Sequence, residues 1–478
     1  MAETLCQALH SLAEARGGTL AVVGASRSLT WAELEREVVQ IASALHAEGV
    51  RPGQRVGLML PRVPELAVTF LALARVGAVV VPINHKLQLK WVVAQLEDID
   101  FLVADPELAK ALPTDVAADL RWMTPEHLGK VASPGQSTTF TSASQTVCYL
   151  NCTSGSTGRP KRAATTHAQI LANARATVAA SGQCSDDVYW CLFAAFAHPH
   201  EFFHRSLVSG AAFVMIETMS PRVVAKAVAQ HRVSHMLVLP GFAEIWNDSG
   251  FMAAEGVRLR RLEAGGSVVT PELHRRMSEG HFGEFVGVWG STETTGVALV
   301  SAGGGGRVLD GYVIKVVDGS GRMVPPGEVG ELCVRGPAVV AEYSPSLEEA
   351  SSPFEDGWFH TGDLVRQDED HCVHFLGRRS SLMKVGGARV FPAEVERVLV
   401  AHPHVREAVV VGVSDRRRGE VPVALVVAAG KAEVDLLRRH CRAVLAAYKV
   451  PRRIIFVDAL PRLVGGKVDR AAALALVS

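Results

Sequence analysis

The 478-residue sequence has no excess of either charge, since 49 Lys and Arg stand against 49 Asp and Glu. A globally basic nucleic-acid surface and an acidic solvating tail are thereby excluded, and a charged ligand has to be held by local residues. The eight cysteines, spread from Cys6 to Cys441, form no C-x-x-C pair. That argues against a disulfide framework and a zinc knuckle, and for a reducing cytosol. The N-terminal residues carry Glu3 and Glu14 and lack a basic start followed by an apolar run, so no secretory signal is expected. A long unbroken hydrophobic run is also missing. The most apolar stretch, Leu66 to Ile83, is interrupted by Arg75 and Gly77 and contains Pro82, as suits a buried helix and strand better than a membrane span. What remains is ordinary globular composition, 48% hydrophobic and 21% charged, with length for two to four domains at roughly 100–200 residues each. The expectation is a soluble cytoplasmic protein without nucleic-acid or membrane partners.

Thr30-Trp31-Ala32-Glu33 is a capping box that opens a helix with Leu34, Val38, Ile41 and Leu45 on its apolar face, and Gly49 stops it. A strand at 56–60, a helix from Pro64 to Arg75 and the β-rich run 78–83 follow. The alternation recurs in a helix from Pro221 towards His231, a strand at 235–240 and a helix opened by Thr270-Pro271-Glu272. This is the pattern of α/β layers with buried strands. From about Tyr312 the sequence changes to half-buried strands with Gly and Pro turns. After Gly377 an α+β segment is expected: helix 392–400, strands 407–413 and 421–428, helix 432–447 and strand 454–457. Residues 364–478 hold 20 Lys and Arg against 12 Asp and Glu, so a basic C-terminal unit faces an acidic body.

The most informative stretch follows the apolar strand 146–150. It reads Thr153, Ser154, Gly155, Ser156, Thr157, Gly158, Arg159, Pro160, Lys161. Hydroxyls and glycines packed after a strand let backbone N–H groups turn onto phosphate oxygens, with Lys161 adding a point charge. The spacing is not that of a Walker loop, because Arg162 rather than Ser or Thr follows the lysine. Further on come Gly265-Gly266-Ser267, the string Trp289-Gly290-Ser291-Thr292-Glu293, WFHTGDL with Asp363, the segment 375–396 with Arg378, and PRLVGGKVDR with Lys467.

In order and spacing these segments resemble the adenylate-forming superfamily of acyl-CoA synthetases, aryl-CoA ligases, luciferases and peptide-synthetase adenylation domains, over essentially the whole chain. The resemblance implies a role for each position. Thr153 to Gly158 and Lys161 would wrap the ATP phosphates, while Gly265, Gly266, Ser267, Trp289, Gly290 and Ser291 would line the adenine of ATP or AMP. Thr292 would contact the α-phosphate and Glu293 would hold Mg²⁺, a hard cation suited to carboxylate oxygen. Asp363 would accept the ribose hydroxyls with Arg378 beside it, and Lys467 would be the mobile lysine that bridges carboxylate and phosphate. Lys384 to Gly387, Gly386 among them, would face the pantetheine of CoA after rotation about Ser380. The implied fold is α/β: a large multi-subdomain body, residues 1–379, with α/β layers and a small β-barrel-like part, plus a small mobile α+β lid, residues 380–478. The implied reaction is thioesterification of a carboxylic acid through an acyl adenylate. Its physical logic is coherent: joining a carboxylate to a triphosphate forces like charges together, and Mg²⁺, Lys161 and Lys467 would neutralise them. The acceptor thiol is that of CoA or of a carrier protein, with CoA preferred, and a homodimer is left open. His198, Phe202 and Leu239 to Phe242 are expected at an acid pocket whose aromatic and histidine content suits an aryl or bulky cyclic acid.

Several positions depart from the superfamily pattern. Arg162 replaces a small residue; it is expected either to fold into the phosphate loop, limiting the protein to transfer of a supplied adenylate, or to point to solvent, the preferred outcome. Ser380 and Ser381 stand where an Asp or Lys is usual, and Ala194 and Ala195 replace Pro-Leu. A rival reading comes from His200-Glu201-Phe202-Phe203-His204, which on a helix would place two imidazoles on one face with Glu201 as base, as in zinc hydrolases.

Overall fold

Helix starts in this chain are set locally. Thr4, Thr30 and Thr166 each make reciprocal capping boxes, and Pro64, Pro221, Pro271 and Pro392 occupy first helical positions, where the missing N–H costs nothing. The computed structural model describes residues 3–477 except 114–119, 133–139, 141, 153–160, 268, 270, 281–282, 304, 345–351 and 464–467. Thr153 to Gly158 and Lys467 therefore lie outside the described residues.

Two largely parallel sheets form the layers that the helix and strand alternation implied. The first has nine strands, of which Leu20–Gly24, Ala212–Met215, Val188–Cys191, His235–Val238, Arg261–Ala264 and Glu284–Ser291 run parallel in that spatial order. The second has six strands, with Val147–Cys152 parallel to Val79–Pro82 and antiparallel to Arg162–Thr166. Helix Pro64–Val76 is buried along almost its whole length, because its apolar residues pack in the common core with both sheets. None of the described helices is long and apolar enough to cross a membrane.

The half-buried strands expected after Tyr312 are an antiparallel five-stranded sheet built around Val329–Arg335 and Trp358–Gln367. The last sheet begins at Met383–Val385 and has its own apolar core around Val395, Leu399, Val410 and Leu437. Its central pair is longer than the sequence pattern indicated. Val405–Asp415 and Gly419–Ala428 stay in antiparallel register to the tip, Asp415 opposite Gly419, since ladder bonds extend past the apolar alternation that marks the strands. The helix expected at 432–447 is shorter, Val434–Val444, because Leu445 takes an extended conformation with φ −105° and ψ 148°.

One buried group makes stability depend on pH. His167 opens helix His167–Ser181 with no exposed surface, and neither ring nitrogen has a hydrogen-bond partner among the described residues. Burial pushes its pKa down to about 4. The unfolded chain takes up this proton near pH 6.5 and the folded one does not, so the contribution of His167 to stability is complete above pH 6.5 and declines as pH falls towards 4. The loss is about 3 kcal/mol over that window. In denaturant titrations at pH 7, 6, 5 and 4, His167→Leu is expected to flatten this dependence by about one proton; an unchanged slope would show that His167 does not contribute it.

Candidate active site

The C-terminal ends of parallel strands are where open α/β sheets hold ligands, and the candidate residues gather at these ends. Ala264 leads into Gly265, Gly266 and Ser267. Glu284–Ser291 ends in Trp289, Gly290 and Ser291 and runs into a 3₁₀ turn, Thr292–Thr294, in which Thr292 and Glu293 are buried. The Ser291 side chain caps this turn, accepting from Thr294 N, while Ser291 N donates to Thr294 Oγ1.

Asp363 is placed by a hairpin. Trp358–Gln367 pairs antiparallel with Val373–Arg378 so that Asp363 stands opposite Arg378. Arg378 Nε lies 2.6 Å from Asp363 Oδ1, and Trp289 Nε1 donates to Oδ2 at 2.9 Å. Trp289 also stacks on Phe375, ring centroids 5.7 Å apart and 22° from coplanar. The buried carboxylate thus links the end of the first sheet to the antiparallel sheet, with an aromatic step beside it. Glu331 supports the approach, its Oε1 accepting from Gly362 N at 2.9 Å and its Oε2 from Arg379 Nη1 at 3.0 Å.

Glu293 and Lys161 come from different sheets and meet through a residue that no motif marked. The Tyr343 hydroxyl donates to Glu293 Oε1 at 2.5 Å, and Lys161 Nζ sits 5.3 Å from the Tyr343 ring centroid. The segment carrying Tyr343 spans the sheets: Thr295 Oγ1 donates to Ala338 O, Val340 N donates to Glu293 O, and Ser344 N donates to Arg162 O. A carboxylate, a phenol and an ammonium are held together in this way. With Oε1 committed to Tyr343, Oε2 is the oxygen that would take a hard cation, so the donor chemistry at Glu293 fits Mg²⁺.

His198 lies just before a 3₁₀ helix, Pro199–Phe202, and its Nδ1 is 2.8 Å from Asn151 Nδ2. The amide donates, so the ring proton belongs on Nε2. Phe193 is 6.3 Å from the His198 ring, and Phe196 meets His85 edge-on at 5.7 Å. Phe202 is different: it is core, 1% exposed and beneath the Arg62 guanidinium, because the 3₁₀ turn directs it inward. Of 239–242, Pro240 and Phe242 are buried and Phe242 packs on Trp246. Lys384 is exposed on strand Met383–Val385. Gly386 and Gly387, with φ 58° and 85°, make the two-residue turn to Ala388–Val390, a geometry that requires left-handed backbone at both positions. Ser380 is exposed in the 3₁₀ turn Arg379–Ser381, between the last strand of one sheet and the first of the next.

Two expectations are corrected. Arg162 neither reaches for a phosphate nor faces solvent: its guanidinium is buried and donates to Asp98 Oδ1 and Gln95 O. Asp98 also accepts from Arg55, so a carboxylate 64 residues upstream neutralises the arginine. Arg162→Gly is therefore expected to leave pyrophosphate exchange per folded molecule unchanged and to lower stability by about 1–3 kcal/mol, as read from paired exchange assays and melts. Exchange that rises in the variant would restore the competition model.

The H-E-x-x-H string likewise does not form a metal face. It falls on a 3₁₀ turn followed by an irregular step, and His200, Glu201 and His204 are wholly or almost wholly buried. His200 Nε2 lies 3.2 Å from Thr295 O and His204 Nε2 3.1 Å from Asn173 Oδ1. Both oxygens accept, so each ring carries its proton on Nε2 and is tied into the interior. Among the described residues no group of three metal-ligating side chains occurs.

Comparison with known proteins identifies the family of the chain. The family model for the AMP-binding enzyme matches residues 9–344, and that for the AMP-binding enzyme C-terminal domain matches residues 394–467. The chain is 33% identical over 484 residues to a feruloyl-CoA synthase of Amycolatopsis sp, covering 96% of this chain and 94% of that one. It is 32% identical over 508 residues to the fatty acid--[acyl-carrier-protein] ligase ScoC of Streptomyces coeruleorubidus, covering 98% and 95%. The crystal structure of the anthranilate CoA ligase AuaEII in complex with anthranoyl-AMP superposes with a TM-score of 0.90 at 25% identity, covering 99% and 97%. By sequence and fold, the chain belongs to the AMP-binding enzyme family and is an adenylate-forming, ATP-dependent acid–thiol ligase.

Proposed function

We propose that this ligase converts an aryl or bulky cyclic carboxylic acid to its CoA thioester. The observation that carries the reading is the meeting of Lys161, Tyr343 and Glu293 at the ends of two parallel sheets, which offers cationic and cation-binding groups to a triphosphate. Glu293 would hold Mg²⁺, which would supply charge neutralisation at the triphosphate. Residues 153–158 and Lys161 cradle the phosphates, and Thr292 donates to the α-phosphate. Gly265 to Ser267, Trp289, Gly290 and Ser291 flank the base, and Asp363 accepts the ribose hydroxyls. One carboxylate oxygen of the acid attacks the α-phosphorus as pyrophosphate leaves, with Lys467 between the two anions. In the second step the thiol loses its proton, sulfur attacks the acyl carbon, and AMP departs.

We assign residues 1–379 to the body and 380–478 to a lid that turns about Ser380 and brings Lys384 to Gly387 to the pantetheine arm. The aryl preference is supported by Phe193 beside His198 and by Phe196 on His85. The relative that acts on an acyl-carrier protein favours a second acceptor, a carrier's phosphopantetheine. The reading limited to a supplied adenylate loses its main support with Arg162 bound to Asp98. The test incubates the protein with aryl, alicyclic and fatty acids, ATP and either CoA or a phosphopantetheinylated carrier, with adenylate and thioester detected by mass spectrometry. Turnover with fatty acids alone would reject the aryl assignment, and turnover with the carrier alone would reject CoA.

A further inference from the structure

Around the turn that carries Thr292 and Glu293 lies a buried polar cluster whose members are not among the residues assigned above to ATP or the acid. Tyr312 OH donates to Thr294 O at 2.8 Å. His200 Nε2 donates to Thr295 O at 3.2 Å. Asn173 Nδ2 donates to Val297 O and to the Tyr312 hydroxyl, each at 2.8 Å, and its Oδ1 accepts from His204 Nε2. Three carbonyls within four residues are thus held by side chains from a helix, a 3₁₀ turn with its following residues, and the segment before Val313. All four side chains are buried, Asn173, His200 and His204 with no exposed surface.

The turn needs such support because its backbone is unfavourable. Thr295 is β-branched yet left-handed, φ 56°, a conformation that costs of order 1–3 kcal/mol. Gly296 follows at φ 126°, and a Cβ there would lie 2.5 Å from Glu201 Oε1 and 2.7 Å from Asn173 Oδ1. The cluster is therefore pressed against the turn as closely as glycine allows. An unsupported chain would relax at Thr295 and swing Glu293, two residues back, away from Tyr343.

We propose that His200, Asn173 and Tyr312, with His204 orienting Asn173, are positioning residues for adenylation: they fix the strained Thr292–Gly296 turn so that Thr292 and Glu293 meet the magnesium nucleotide. This rests on the assignment of Thr292 and Glu293 above and gives the H-E-x-x-H string a role. The side chains are needed for their N–H and O–H groups, so the effect follows hydrogen-bonding capacity rather than size.

The test uses the full-length protein and three variants: Tyr312→Phe, His200→Leu and His200→Gln, the last of which restores a donor near the Nε2 position. Affinity for MgATP is measured by calorimetry without acid, pyrophosphate exchange across a Mg²⁺ series, and thioester formation from synthetic aryl adenylate. Tyr312→Phe and His200→Leu are expected to weaken MgATP binding and exchange by about tenfold or more, the scale for groups that orient a ligand to a metal. Half-saturation should move to higher Mg²⁺, while thioester formation stays within about twofold of wild type. His200→Gln is expected to recover most of the loss. Should His200→Leu not fold, Tyr312→Phe, which changes one hydroxyl, decides the matter. Unchanged MgATP affinity, equal losses in both half-reactions, or a His200→Gln variant no better than His200→Leu would overturn the proposal. Wild-type protein that neither binds MgATP nor exchanges pyrophosphate would instead overturn the functional assignment on which it depends.

Discussion

Lys467→Ala is expected to slow adenylate formation by about 10²–10³-fold and to leave thioester formation from a supplied acyl adenylate close to wild type. The magnitude is that of a transition-state contact to developing charge. Adenylation alone requires a carboxylate to approach an anionic α-phosphate that still carries the β- and γ-phosphates, and a cation placed between the reacting oxygens lowers that barrier. Once the adenylate exists the acyl carbon is electrophilic and its attack by sulfur needs no such bridge. The assignment comes from the position of Lys467 in Gly465-Gly466-Lys467-Val468-Asp469-Arg470, within the matched C-terminal family segment. Asp469 caps the helix Arg470–Ala475, and the Arg470 guanidinium bonds Val410 O and Glu396. Pyrophosphate exchange beside single-turnover thioesterification separates the steps, and an undiminished exchange rate would remove Lys467 from the mechanism.

What could be read from the sequence was local in origin. The capping box at Thr30 and the proline starts at 64, 221, 271 and 392 are written within four residues of the boundary they set, and the apolar runs between them mark the parallel strands. The placing of Arg378 beside Asp363 was implied by the family resemblance, and one hairpin joins them. Tyr343 was out of reach: it meets Glu293 across 50 residues, from an irregular segment without periodicity. Arg162 was misjudged for a related reason, since burial by Asp98 and Gln95 depends on where a separate helix ends. The histidine string misled because spacing alone assumes an α-helix, whereas Pro199 begins a 3₁₀ turn and burial turns both imidazoles to the interior.

Asp363→Ala is expected to weaken ATP and the acyl adenylate by the same factor, about tenfold to a hundredfold, because both carry the same ribose and a buried hydroxyl left unpaired costs about 1–3 kcal/mol. The carboxylate, an acceptor at both oxygens, suits two hydroxyls, with Arg378 at Oδ1 and Trp289 at Oδ2 as donors. Those donors also hold its plane, which makes the site preorganised rather than assembled on binding. Fold stability should change less than affinity. Arg378 is more than half exposed and finds water when its partner is removed, and Trp289 keeps its stack on Phe375. Asp363→Asn retains an acceptor for one hydroxyl only and should fall between wild type and Asp363→Ala. Calorimetry with ATP and with a non-hydrolysable adenylate, alongside melts, measures both quantities. Equal affinities in all three proteins would reduce Asp363 to a strut between two sheets, and a loss confined to ATP would place the carboxylate near the polyphosphate instead of the ribose.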